Sequence, residues 1–195
     1  MTLEKLLKKH GIKVIEVKDK AKHIVAYPSI VEIYTLLIKD AAQFFDGKKK
    51  VQYADICELL TRRGCTKNEF EKLCASLDQY KNMRNFPRCT GIALSTIVTV
   101  LPAKMTIDVS SLSVPPDYLC TRLADKEYTL IGEVGRCFGF QTERSIFHLD
   151  GRYGDSLGKE TSDCTFYIKD PYTPHNIPPS NSVYYLKNGK WRRGR

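Results

Sequence analysis

The sequence predicts an α+β protein: an N-terminal helical part of about four helices with a small hairpin, then a mostly antiparallel β-rich head. Three observations carry this. The stretch 66–80 is charged and has apolar residues at helical spacing. The run that follows Asn85-Phe86-Pro87 is nearly uncharged, and I-A-L-S-T-I-V-T-V and K-M-T-I-D-V read as alternating strands. Charge divides along the same line. Residues 1–88 hold 18 Lys and Arg against 11 Asp and Glu, residues 89–186 hold 8 against 11, and the last nine residues add five positive charges and no negative one. The expected division is therefore a basic helical region over 1–88 and a β-rich head with a basic tail over 89–195.

Taken in order, Thr2 caps a short helix over 3–10, ended by Gly11. I-K-V-I-E-V and H-I-V-A-Y form a hairpin around a charged turn. Ser29 and Glu32 make a capping box for a core helix that carries Ile30, Ile33, Tyr34, Leu37, Ile38, Ala41 and Phe45 on one face. A second helix over about 52–63 ends at Gly64, and Thr66 with Glu69 caps a third that turns Phe70, Leu73, Cys74 and Leu77 inward. In the head, Pro102 marks a bend. E-Y-T-L-I-G-E-V is a strand or a short helix, while R-S-I-F-H-L and C-T-F-Y-I are strands. D-P-Y-T-P-H-N-I-P-P-S-N-S is irregular. V-Y-Y-L-K-N-G-K-W-R-R closes the chain as a hairpin on an Asn188-Gly189 type I′ turn. No internal repeat or low-complexity tract stands out.

Composition narrows the function classes. With 42% hydrophobic and 27% charged residues, the chain is an ordinary soluble one. No apolar run approaches the ~18 residues of a membrane span, and the charged N-terminus does not read as a signal peptide. The expectation is a cytoplasmic protein without membrane association. Seven scattered cysteines with no C-x-x-C read as reduced core thiols. A zinc site from Cys57, Cys65, Cys74 and a distant His is the minor alternative. No nucleotide-binding loop, metalloprotease or serine-hydrolase motif is present, and His148, between Phe147 and Leu149, reads as structural. The expectation is a non-catalytic protein without cofactor or metal.

Binding residues are easier to nominate. The net charge of +9 suits a polyanion. Lys48, Lys49, Lys50, Arg62, Arg63, Lys67, Lys72, Lys81, Arg84 and Arg88 recur through the helical part, where they can touch phosphates without reading sequence. Tyr53, Tyr80 and Phe86 are nearby aromatics. Trp191 among Arg192, Arg193 and Arg195 combines stacking with charge; a disordered tail is the alternative. Residues 52–83 also have the skeleton of a helix-turn-helix that presents Lys67, Asn68, Glu71 and Lys72. A DNA-binding regulator is thus the second reading, and a cysteine-dependent hydrolase the third.

Leu77-Asp78, then Cys89, the apolar run to Ala103-Lys104-Met105, Y-T-L-I-G-E-V, R-S-I-F-H-L and C-T-F-Y-I follow one another over residues 67–169. In this order the stretch resembles the C-terminal head domain of non-structural protein eight of coronaviruses and related nidoviruses. Where that family has one long charged helix before the head, this chain has breaks at Gly47 and Gly64. The resemblance implies a non-catalytic, RNA-binding accessory subunit of a viral replication complex, in the host cytoplasm and with oligomer formation open. Lys67, Lys72, Lys81 and Arg84 would lie on RNA. Val98, Val100, Leu101, Pro102 and Met105 would meet a viral RNA polymerase or a small helical cofactor. Primer-making or terminal-transferase activity is a further implication.

Overall fold

The computed structural model describes residues 16–19, 22–25, 29–45, 60–169 and 177–194. The expected helix over 3–10, Lys48–Lys50, most of the helix over 52–63 and much of the proline-rich stretch lie outside them. Strands β1 (Glu16–Asp19) and β2 (Lys22–Val25) pair antiparallel as the expected hairpin. Helix α1 (Ile30–Phe45) opens on its capping box: Glu32 N–H donates to Ser29 Oγ at 3.2 Å, and Ser29 N–H to Glu32 Oε2 at 2.7 Å. Residues 60–63 are helical, and Gly64 stands at φ +71°, the left-handed position that favours glycine. Helix α2 (Lys67–Ser76) starts on the Thr66–Glu69 capping box and runs into a 3-10 turn, Leu77–Tyr80.

The chain then departs from the strands expected after Cys89. Residues Phe86–Val98 form helix α3. Its buried residues Phe86, Cys89, Thr90, Ala93, Leu94, Ile97 and Val98 follow one another at spacings of three and one, which is helical. Gly91, Ser95 and Thr96 are buried too. A helix covered on nearly all sides loses the polar stripe that marks the helical period. Its Ile, Val and Thr content then reads as strand, although burial overrides so weak a propensity. Pro87 sits in the first turn, where its missing N–H costs nothing.

Six strands follow: β3 (Lys104–Asp108), β4 (Glu127–Ile131), β5 (Ile146–Asp150), β6 (Thr165–Ile168), β7 (Ser182–Lys187) and β8 (Lys190–Arg193), paired in chain order. The first five run parallel, and only β7–β8 is antiparallel. The antiparallel head expected from the sequence is therefore replaced by a β-solenoid. Strands separated by a whole coil of chain, rather than by tight turns, return in the same direction. The hairpin at Asn188 (φ +51°) and Gly189 (φ +72°) is as expected.

The coils repeat, contrary to the expectation of no internal repeat. Glu127, Ile146 and Thr165 are partners in register, two steps of 19 residues. The buried residues obey the same period: Leu119, Phe138 and Leu157; Tyr128, Phe147 and Phe166; Leu130, Leu149 and Ile168. So do the corners with positive φ: Tyr118, Cys137 and Ser156; Arg122, Gln141 and Glu160; Asp125, Arg144 and Asp163. Side-chain identity varies at most of these corners, but glycines recur at the same period: Gly132 and Gly151, Gly135 and Gly154, Gly139 and Gly158. Within the coils, Phe147 stacks on Phe166 at 5.4 Å and meets Phe138 edge-on at 5.1 Å.

Helix α3 lies on the first coil. Ser95 Oγ donates to the Tyr118 carbonyl at 2.8 Å and accepts from Thr121 N–H at 3.2 Å. The Tyr128 hydroxyl lies within 3.2 Å of the Val98 and Pro102 carbonyls. Lys126 Nζ donates to the Thr99 and Leu101 carbonyls at 3.1 and 2.9 Å, placing a cation at the C-terminal end of the helix dipole. A Cβ on Gly91 would stand 1.6 Å from the Asp117 carbonyl oxygen. On the other side, Tyr34 of α1 shares a 2.9 Å hydrogen bond with Thr90. One buried cluster thus runs from Ile30 to Ile168. The boundary expected at residue 88 falls inside α3.

Phe147→Ala should lower unfolding stability by about 3–5 kcal/mol, whereas the exposed Trp191→Ala should stay within about 0.5 kcal/mol of the parent. Urea denaturation followed by circular dichroism measures both.

Candidate functional site

Alternation along each strand sends every second residue to the outer face of the sheet, and the common register lines these residues up in rows across the strands. One row runs Thr106, Thr129, His148, Tyr167, Tyr184, Arg193. His148 and Tyr167 stack with centroids 4.6 Å apart and planes 4° from parallel; Tyr167 and Tyr184 follow at 5.0 Å and 16°. The ring spacing matches the ~4.8 Å between neighbouring strands, so the backbone sets the stack. Trp191, paired to Leu186, shares this face and meets Tyr167 edge-on at 5.2 Å. It is 40% exposed.

Charge on this face is uneven. Toward the N-terminal side it is compensated: Lys104 Nζ pairs with Glu127 at 2.6 Å and Lys169 Nζ with Asp150 at 2.6 Å. His148 Nε2 stands 4.0 Å from Glu127 Oε1. Toward the C-terminal side, Arg193 pairs with no described carboxylate and makes a 3.5 Å hydrogen bond to Ser182 Oγ, while Lys187, Lys190 and Arg192 alternate onto the opposite face of the hairpin. The outer face of β6–β8 therefore joins an exposed indole, two stacked tyrosines and the Arg193 guanidinium.

The nominated residues divide accordingly. Trp191, Arg192 and Arg193 are ordered in β8 and exposed, so the basic tail is a strand through residue 193 rather than a loose end. Lys72, Lys81, Arg62 and Arg84 are exposed on the helical part. Lys67 pairs with Glu71 at 3.5 Å on the same helix face. Arg63 is bound to Glu69 and to the Gly64 carbonyl, so it holds the entry to α2. Arg88 lies half-buried, 5.8 Å from the centre of the Tyr118 ring. Phe86 is core, and half-buried Tyr80 packs on Tyr34 at 5.6 Å. Of the expected protein-contact residues, Val98 and Leu101 are buried in the core, Val100 and Met105 are half-buried, and Pro102 is exposed at the bend expected for it.

Sequence reasoning missed His148, Tyr167 and Tyr184. The first two stand 19 residues apart, like the buried Phe147 and Phe166 beside them, and that period is the signal that finds them. His148, read as structural, is half-exposed in the row. The helix-turn-helix pattern is described only from residue 60; α2 does turn Lys67, Asn68, Glu71 and Lys72 outward. Among the described residues no three potential metal ligands gather, and Cys57 lies outside them. Burial pushes the Cys65 thiol up to about 11, with Glu69 adding to the shift, and Cys74 up to about 12. Both stay protonated near neutral pH, which disfavours a nucleophilic role. No described helix is long and apolar enough to cross a membrane. Comparison with protein-family models, with curated proteins and with solved structures yields no match.

The Arg63 guanidinium, then the Thr66 N–H, holds the Glu69 carboxyl down to about 2. A carboxylate depressed in the folded state stabilises above its unfolded value near ~4.3, and that contribution is lost as pH falls through the folded value. Glu69→Gln should therefore cost stability at neutral pH and flatten the loss of stability between about pH 4 and pH 2. Thermal unfolding at a series of pH values checks this; an unchanged acid limb rules it out.

Proposed function

We propose that this protein is a non-catalytic RNA-binding module that holds a single strand across the outer face of β5–β8. One observation carries the reading: the fold brings Trp191 and Arg193, a cation without a described acidic partner, onto the same exposed face as the stacked Tyr184, Tyr167 and His148. An aromatic face accepts any base and contributes about 1–3 kcal/mol per stacked base. Lys and Arg neutralise phosphates and release counterions. Since the row's rings cover one another's faces, their edges are left to solvent, and the Tyr hydroxyls and His nitrogens can bond a ribose 2′-hydroxyl. Lys72, Lys81 and Arg84 offer further phosphate contacts on the helices. Attachment to a viral polymerase is the part of the proposal that comes from the resemblance alone, and burial of Val98 and Leu101 removes those two side chains from any such surface. A helix-turn-helix regulator gains nothing from the sheet face.

Fluorescence anisotropy with random-sequence RNA of about a dozen nucleotides tests the proposal. Affinity should fall steeply with salt. Trp191→Ala should weaken binding about 5- to 100-fold, and Arg193→Ala should reduce the logarithmic salt slope by about one. Salt-independent binding, or binding indifferent to Trp191, would sink the proposal. Loss on replacing Lys72 and Lys81 alone would move the site to the helices.

A further inference from the structure

We infer that the sheet face beyond His148, over Thr129 and Thr106, is a notch for one nucleobase bearing an exocyclic amino group, such as adenine or cytosine. This rests on the RNA-binding reading and gives it a base preference. The row Tyr184–Tyr167–His148 stops abruptly. The next two positions in register are Thr129 and Thr106, both short and half-exposed. One face of His148 lies on Tyr167, and the other looks along the row toward Thr129. Because the rings already follow the strand spacing, a planar ring above Thr129 continues the stack at the same ~4.8 Å interval.

Three carboxylates surround this notch, and their partners tell them apart. Asp108 is held by the Ser110 N–H at 2.9 Å and the Ser110 hydroxyl at 2.6 Å, which keep its carboxyl below the usual range. Asp150 accepts from Lys169 at 2.6 Å. Glu127 stands beside His148, with Lys104 on it at 2.6 Å. As an ionised carboxylate Glu127 only accepts, so it suits the amino group of cytosine or adenine and opposes the carbonyl that uracil offers at the same edge. From the β4 rung to Trp191 on β8 is four strand spacings, roughly 19 Å, within the span of a short oligonucleotide.

The test compares hexamers of A, C and U by anisotropy. The wild-type protein should bind the A and C hexamers about tenfold more tightly than U. Thr129→Leu, which fills the notch from an outer-face position, should bring the three within about twofold of one another. Equal affinities in the wild type, or a preference that survives Thr129→Leu, would overturn the inference. If no hexamer binds, the RNA-binding reading fails by itself. The notch is then decided with free adenosine and cytidine: movement of the His148 imidazole signals in the wild type but not in Thr129→Leu supports it, and static signals refute it.

Discussion

Everything on the sheet depends on how α3 meets the first coil. A parallel solenoid has no tight hairpins to fix its register, so its first rung must be set by something else. Here the Ser95, Lys126 and Tyr128 hydrogen bonds pin that coil to the helix, and Gly91 lets the two backbones approach where any side chain would collide with Asp117. The helix also covers apolar residues that would otherwise be exposed at the end of the stack. Once the first coil is placed, each later one can copy it, because Tyr128, Phe147 and Phe166 are register partners that are all fully buried. The outer row inherits that register, which is why His148, Tyr167 and Tyr184 stack almost parallel.

Local chemistry was legible in the sequence, and long-range order was not. The two capping boxes, the left-handed Gly64 and the Asn188-Gly189 hairpin each depend on a few adjacent residues, and all four are present. Most of the strands were recognisable as strands, but their direction was not. Direction depends on the chain between them, and this chain turns many of its corners at varied residues, Arg122, Gln141 and Glu160, or Asp125, Arg144 and Asp163, while glycines recur at the same period only in pairs, Gly132 with Gly151 and Gly139 with Gly158. A non-glycine residue in the left-handed region costs something locally. Side-chain bonds across coils help hold these corners: Arg122 to Gln141 at 3.0 Å, Gln141 to Glu160 at 2.9 Å, and Arg144 to Asp125 at 2.9 Å.

The same distinction explains the site. Trp191, Arg192 and Arg193 are adjacent, so their combination shows in the sequence. His148, Tyr167 and Tyr184 meet only through register. The cations of the helical part illustrate the opposite error, since composition cannot separate a cation offered to solvent from one engaged at home. Arg63 is spent on the entry to α2, and Lys67 faces Glu71. Surface pairs such as Lys67–Glu71 are weak, yet they reduce the charge that face presents.

A rival explanation for the cationic β8 is edge protection, since charged side chains discourage an open strand from pairing with another molecule. That accounts for Lys190 and Arg192. It does not account for Trp191, 40% exposed on the same four-residue strand, because a large exposed aromatic invites the association that the charges are said to prevent. Nor does it account for the stacked tyrosines that continue the face inward on β7 and β6. An indole kept in solvent beside Arg193, and edge-on to an aligned aromatic row, fits the proposed surface for planar bases joined by anionic phosphates.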